Sequence, residues 1–474
     1  MKYKLVASLA LFAFVTQGLA QTEKKILGTW EGKLNVGVEL RIVFHIKENG
    51  AGGLLSTADS PDQSAFGMKC DTTFLAGENV TIEMHKVSAS FTGKLIDDST
   101  IEGTFTQTAK VSLRLKKGES KEPPRKRPQT PQSPYPYKSE EVGYDNSNKS
   151  LHFGATITIP SGNGPFPAAV LITGSGPQNR DEEILGHHPF AVLADALTRK
   201  GMVVLRVDDR GVGKSTGDFT AATSADFAED VNTSINYLIS RPEVEKNKVG
   251  LIGHSEGGMI APMVANQRKD INFIILLAGP GIKIIDLMTE QNMAVLRSLG
   301  ISQPSLDVYA PFYKQLITVM ADNTDTAASR IKATSIFEKW LAETKEPVIR
   351  ELGFESKKDQ QEFIRDIVTG FSGKWFKYFL AFDPTPYLQK LNCKVLAING
   401  DKDIQVIATS NLAGITAALK QSKVKNPEIK ALPGLNHLFQ QCKKCTVQEY
   451  GELEETFSPT ALQIITDWFE KNVK

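Results

Sequence analysis

Apolar and polar positions change rhythm twice along this chain. Over residues 26–116 they alternate in short runs, as in Glu39-Leu40-Arg41-Ile42-Val43-Phe44-His45-Ile46, Asn79-Val80-Thr81-Ile82-Glu83-Met84 and Val111-Ser112-Leu113-Arg114-Leu115. A period of two, interrupted by Gly, Asn and Asp, is the pattern of antiparallel strands with one buried face. Glu48-Asn49-Gly50 and Asp97-Asp98-Ser99 have the composition of hairpin tips. The pattern predicts a small all-β domain, a barrel or a sandwich, over residues 21–116. Residues 117–138 carry Pro123, Pro124, Pro128, Pro131, Pro134 and Pro136, which suit a stiff extended linker. From residue 139 to 474 the rhythm changes again. Unbroken apolar runs at 168–172, 203–205, 249–252, 273–277 and 395–398 alternate with helical patterns such as 190–200, 225–239 and 408–420. Strands without alternation are covered on both faces, as in the mostly parallel sheet of a doubly wound α/β fold. Residues 283–386 are too many for one crossover and read as helical, which predicts a helical cap inserted over the active end of the sheet.

The chain starts with a different signal. Lys2 and Lys4 precede an apolar run from Leu5 to Val15, followed by Gly18 and Ala20. This is the layout of a signal peptide over residues 1–20, cut before Gln21 and implying export to a periplasmic or extracellular space. The run is roughly half the length of a bilayer span, and no later segment is apolar for long enough to be one. With 474 residues, 41% hydrophobic and 23% charged, the chain can bury substantial cores in two or three domains. Its 55 basic and 54 acidic residues leave a net charge of +1, which gives no electrostatic ground for a nucleic-acid or anionic-membrane partner. The cluster Arg125-Lys126-Arg127 accordingly reads as a solvated face.

Candidate chemistry centres on Gly253-His254-Ser255-Glu256-Gly257-Gly258, which lies between an apolar run and a helical one. A serine in a tight strand-to-helix turn is lifted out of the sheet at a helix N-terminus, where its hydroxyl can act as a nucleophile. The plainer reading is a Gly-rich turn with a capping serine. A serine nucleophile needs a base, and in this architecture an acid and then a histidine follow it in the chain. His437 is the one histidine after Ser255. The acid should follow the run 395–398, where Asp401 and Asp403 compete. Oxyanion donors are expected from the backbone N–H of Glu256 and from the loop Thr173-Gly174-Ser175-Gly176-Pro177, with Ser175 preferred and Gly176 the alternative.

Other clusters weigh less. Asp208-Asp209-Arg210-Gly211-Val212-Gly213-Lys214-Ser215 lacks the spacing of a phosphate loop and reads as a structural loop, with Arg210 bonding nearby backbone or carboxylates. Asn179-Arg180-Asp181 could touch substrate or form a structural ion pair. Cys442 and Cys445 form a C-x-x-C. A zinc site would lack ligands there and compete for His437, so a local disulfide or two spare thiols is expected, with no metal. Cys70 and Cys393 read as isolated buried residues.

Together, Ile172-Thr173-Gly174-Ser175-Gly176-Pro177, Asp209-Arg210-Gly211-Val212-Gly213, Gly253 to Gly258, Gly400-Asp401-Lys402-Asp403 and Asn436-His437 resemble the α/β-hydrolase superfamily, and within it exported bacterial esterases related to serine aminopeptidase-like hydrolases. The resemblance covers residues from about 140 onward, most loosely in the cap. It implies a small-molecule carboxylic ester substrate of short to medium acyl length and no cofactor. Related enzymes carry the acid at the end of G-x-x-D, which selects Asp403. The usual His-Gly of the oxyanion loop is Thr173-Gly174 here. Two other readings stand beside esterase: a serine aminopeptidase, with a cap acid such as Glu290 gripping a substrate amino group, and a non-catalytic binding protein whose β-domain captures a glycan or lipid. Composition is silent on oligomeric state.

Overall fold

The computed structural model describes residues 25–35, 39–49, 53–63, 65–87, 89–107, 110–118, 126–322 and 325–474. The expected signal peptide, Gly50 of the first hairpin tip and the start of the proline-rich stretch lie outside them. The chain divides into two compact units, residues 1–125 with 184–186, and residues 126–183 with 187–474.

In the first unit the alternating segments become strands β1 (Gly28–Asn35), β2 (Glu39–Glu48), β3 (Leu54–Ser60), β4 (Ala65–Lys69), β5 (Thr72–Ala76), β6 (Asn79–Met84), β7 (Ala89–Asp97), β8 (Thr100–Thr106) and β9 (Lys110–Lys117). They form one antiparallel sheet in the order β4-β3-β2-β1-β9-β8-β7-β6-β5. The sheet curls on itself: Ser56 Oγ on β3 lies 2.6 Å from Thr73 Oγ1 on β5, near its opposite ends. This is the barrel-like outcome; among the described residues of this unit there is no second sheet to make a sandwich. One side of each strand lines a core that includes Trp30, Phe44, Ile82, Phe91 and Leu115. Trp30 pairs with Phe44 across β1 and β2, and its indole N–H donates to the Ile26 carbonyl, so the large ring is buried without an orphaned donor.

The second unit carries strands β10 (Lys138–Asp145), β11 (His152–Ile159), β12 (Phe166–Ile172), β13 (Val203–Val207), β14 (Val244–His254), β15 (Ile271–Leu277), β16 (Lys394–Gly400) and β17 (Glu428–Leu432). Their order is β10-β11-β13-β12-β14-β15-β16-β17. The pairings from β13 to β17 are parallel, and β10 and β11 extend the sheet antiparallel. The unbroken apolar runs have the expected cause. On β12, Ala168, Val170 and Ile172 enter a core shared with helices 224–240 and 256–267, while Ala169 and Leu171 enter one shared with helices 189–199 and 459–472. Among the described residues, seven helices from Ile284 to Gln389 fill the long interval between β15 and β16. They have an aromatic core of their own, where Phe312 stacks on Trp340 at 4.6 Å between ring centres.

Residues 126–137 depart from the expectation of a spacer. Arg127 donates to the carbonyls of Leu453 and Gly451 at 2.7 and 2.9 Å. Gln129 donates to the Phe457 carbonyl and accepts from the N–H groups of Thr456 and Phe457. Arg127 is therefore half-buried and bonded rather than part of a solvated basic face: proline-rich chain has unpaired backbone and polar side chains, and here the segment 451–457 satisfies them.

Candidate active site

Strand β14 ends at His254, and the helix Glu256–Gln267 begins two residues later. Ser255 bridges them at φ 52°, ψ −117°. Positive φ in a residue with a Cβ costs about 1–3 kcal/mol and persists only where its surroundings enforce it. The enforcing contacts are on both sides. The Ser255 N–H donates to the Leu277 carbonyl at 2.9 Å and its carbonyl accepts from Gly258 at 2.9 Å. A Cβ on Gly253 would overlap the Gly257 carbonyl, and a Cβ on Gly257 would overlap the carbonyl of Ile172 at the end of β12. Glycine at both places lets strand, turn and helix close on each other.

The acid and the histidine come from loops after β16 and β17. His437 Nδ1 lies 2.7 Å from Asp403 Oδ2, and both residues are 4% exposed. Asp403 Oδ1 accepts from the N–H groups of Gln405 and Val406 at 2.7 and 2.9 Å, which leaves Oδ2 for the imidazole. The competing Asp401 is used elsewhere: its Oδ1 accepts from the Gly434 N–H at 2.7 Å. The His437 loop is fastened by Asn436, whose Oδ1 accepts from Leu438 and Gln440 and whose amide donates to the Gln440 side chain at 2.9 Å. Among the described residues no hydrogen bond joins Ser255 Oγ to His437. Such bonds are often long before substrate binds.

The loop after β12 passes the serine. A Cβ on Gly174 would stand 3.3 Å from Ser255 Cβ. The Gly174 N–H is taken by Glu182 Oε1 at 2.7 Å. Among the described residues neither the Ser175 nor the Gly176 N–H meets an acceptor, and the Glu256 N–H lies in the first turn of its helix, where no intrahelical acceptor exists. Asp209 anchors the loop by accepting from Thr173 Oγ1 at 2.8 Å and the Gln178 N–H at 2.9 Å. Burial drives the Asp209 carboxyl well above its ordinary range, and the charges of Glu256 and Glu182 push the same way. A cavity of about 50 Å³ beneath the loop touches Asp209, Arg210 and Glu256; it has room for water rather than an ester.

The Glu256 side chain points into this buried region, where Ser224 Oγ and the Trp375 indole N–H donate to its Oε1 at 2.5 and 2.8 Å. Burial raises it to about 6, against the pull of those two donors. Trp375 belongs to the inserted helices, so the residue after the serine is tied directly to them.

Two residues without a sequence-level role join the site. His254 Nδ1 lies 2.9 Å from Glu182 Oε1, and its Nε2 lies 3.0 Å from the His437 carbonyl. Nothing in the spacing of Glu182 distinguishes it from its neighbours, and His254 precedes the serine, where a base is not sought.

The remaining motifs are structural. Arg180 pairs with Asp208 and Glu141, Arg206 with Asp181, and Arg210 with Asp230 and the Asp226 carbonyl. Glu290 accepts from Ser410. Cys442 and Cys445 are joined in a disulfide, so their proximity to Glu449 offers no thiolates to a metal. Cys70 is buried, and Cys393 is half-buried rather than enclosed.

A family model described as serine aminopeptidase, S33, matches residues 188–363. The chain is 28% identical over 284 residues to esterase EstD of Thermotoga maritima, covering 60% of this chain and 57% of that protein. It is 24% identical over 168 residues to acyl-coenzyme A thioesterase 5 of Mus musculus, covering 35% of this chain and 36% of the thioesterase. The match thus spans less than two thirds of the length of these curated relatives. An esterase of Pyrococcus furiosus superposes with a TM-score of 0.43 at 15% identity, over 71% of this chain and 92% of the other. In its strand order and its strand–serine–helix turn the chain has the α/β-hydrolase fold, and over part of its length it is similar to serine aminopeptidase-like hydrolases, an esterase and a thioesterase.

Proposed function

We propose that this protein hydrolyses carboxylic esters of short to medium acyl length through an acyl-enzyme on Ser255. The observation that carries the proposal is the buried Asp403–His437 pair, whose His437 carbonyl meets the side chain of His254, the residue before a serine held at positive φ. Ser255 Oγ attacks the ester carbonyl carbon, and its proton passes to His437 Nε2. The N–H groups of Glu256 and Ser175 stabilise the oxyanion. His437 then protonates the departing alcohol, and water enters by the reverse route to release the acid and regenerate the serine. No metal or cofactor takes part. Export belongs to the same reading: the N-terminal segment has the layout of a signal peptide, and a surface-loop disulfide suits an oxidising compartment. Among the described residues no helix is long and apolar enough to cross a membrane.

Hydrolysis of p-nitrophenyl acetate, butyrate and octanoate by the protein and its Ser255→Ala variant tests this. Activity lost in the variant supports it, and equal activity in both removes Ser255 as nucleophile. The family model's aminopeptidase description favours peptide-bond cleavage as a second reading. Amino-acid p-nitroanilides turned over faster than the esters would favour it.

A further inference from the structure

We infer that Glu182 and His254 are positioning residues of this site: one buried, hydrogen-bonded pair that holds the oxyanion loop, the nucleophile turn and the His437 loop in mutual register. The inference rests on the serine-hydrolase reading above. Glu182 Oε1 meets both the Gly174 N–H at 2.7 Å and His254 Nδ1 at 2.9 Å, and His254 Nε2 meets the His437 carbonyl at 3.0 Å. Gly174 immediately precedes the expected oxyanion donor, His254 immediately precedes the nucleophile, and the carbonyl belongs to the base itself. Three loops far apart in the chain therefore converge on one pair.

The chemistry fixes its protonation. A carboxylate and a carbonyl can only accept, so both imidazole nitrogens carry hydrogen and His254 is a cation. Burial works against that cation. The charge and hydrogen bond of Glu182, the His437 carbonyl and the charge of Asp403 outweigh it and hold His254 above its ordinary range. The groups facing it are Glu182 from the loop before helix 189–199, Asp403 from the loop after β16, and the rings of His437 and Phe439 at 4.8 and 6.3 Å between centres. Glu182 in turn feels the charge of Asp209, which also interacts with that of Glu256. Glu182 is 4% exposed and sits at φ 51°. A buried pair in a strained backbone is an expensive way to fill space that apolar side chains could occupy. Its return is geometry: a displacement of about 1 Å at a reacting group costs about 100-fold in rate.

Loss of the His254 proton removes one of its two donors and frees either the base loop or the oxyanion corner. The activity should therefore carry an alkaline limb set by His254. The test compares wild type, Glu182→Gln, Glu182→Asp and His254→Gln on p-nitrophenyl butyrate across pH, with thermal melts to verify folding. Glu182→Gln should lower kcat about 10- to 100-fold with KM little changed, and move the alkaline limb toward acid. Glu182→Asp, which keeps the charge, should leave the limb in place. Folded Gln variants at both positions with wild-type kcat and pH profile would overturn the inference. Should they fail to fold, nitrogen NMR of the histidine-labelled wild type decides: two protonated nitrogens on His254 at neutral pH are expected, and one overturns it. If wild type shows no Ser255-dependent turnover, the esterase reading fails on its own, while the NMR result still judges the pair.

Discussion

His437 meets Asp403 through Nδ1, at 2.7 Å from the carboxylate oxygen that the backbone N–H groups of Gln405 and Val406 leave to it. A carboxylate oxygen accepts, so the proton of a neutral His437 resides on Nδ1 and the lone pair on Nε2 is directed away from Asp403. The loop after β16 secures this by assigning its two acids to different tasks. Asp403 orients the imidazole, and Asp401 holds the turn at Gly434.

That division gives the first prediction. Asp403→Asn keeps the shape but replaces an obligate acceptor by a group that can donate, which favours the wrong tautomer. We expect kcat to fall by about 10⁴-fold, the magnitude seen when a triad acid is made an amide. Asp401→Asn retains an oxygen for the Gly434 N–H and should stay within about threefold of wild type, since it touches no reacting group. Steady-state kinetics on a p-nitrophenyl ester checks both; equal losses would mean the two acids share the task.

Glu256 predicts a pH-dependent stability. Its carboxyl is raised from 4.5 to about 6 by burial. For an acid shifted upward, the folded state binds the proton more tightly than the unfolded state. The cost of ionising it in place is therefore absent below about 4.5, grows as pH rises toward 6 and is complete above that. A shift of this size corresponds to about 2 kcal/mol. Glu256→Gln keeps an oxygen for Ser224 and Trp375 without the charge. It should be more stable than wild type by about 2 kcal/mol at pH 8 and nearly equal at pH 4.5, read by urea unfolding at the two pH values. A variant less stable at pH 8 would show that ionised Glu256 is favoured by its donors.

Much of this architecture was legible because simple periodicities carry it. Alternating runs marked β2, β6 and β9 of a zone read as all-β, and the unbroken runs marked β12 to β16, since burial on one or both faces is written in every second residue. Ser255 and His437 were singled out by turn chemistry and chain order, and Asp403 over Asp401 by the G-x-x-D of similar enzymes; the structure pairs Asp403 with His437, and their catalytic roles are what the kinetic predictions test. The Glu182–His254 pair was not: it depends on where the loop before helix 189–199 falls in space, and no local rule fixes that. The Trp375–Glu256 bond escaped for the same reason, as inserted helices have a readable period but no readable docking. The Arg127 contacts were hidden because a proline-rich composition reports backbone stiffness and says nothing about what lies beside it.

The turn itself yields a third prediction. At Gly257 an added methyl would press on the carbonyl of Ile172 and come within 2.7 Å of that of Thr173, both backbone and unable to yield cheaply. Gly257→Ala should cost about 3 kcal/mol of stability. Because the displaced atoms begin the loop proposed to supply an oxyanion donor, kcat should also fall, by about 100-fold for a shift near 1 Å. Chemical unfolding and kinetics measure the two effects separately. A variant with wild-type kcat would mean that the loop after β12 is not part of the reacting geometry.

The strap at Arg127 and Gln129 is expected to reach the site through a chain of hydrogen bonds. These side chains hold the segment 451–457. Within that segment the Glu455 carbonyl accepts from Gln440 at 2.8 Å, and Gln440 is locked to Asn436, the neighbour of His437. Removing both strap side chains leaves carbonyls and N–H groups of 451–457 to find water. Five hydrogen bonds are lost, each worth about 0.5–1 kcal/mol net, so the Arg127→Ala/Gln129→Ala double variant should lose about 2–5 kcal/mol. A loosened Glu455–Gln440 link should lower kcat several-fold while leaving KM unchanged, because the disturbance reaches the base and not the substrate pocket. Unfolding by urea gives the first number and ester kinetics the second. A stability loss with unaltered kcat would confine the strap to holding the chain, and wild-type stability would show that water replaces its hydrogen bonds without cost.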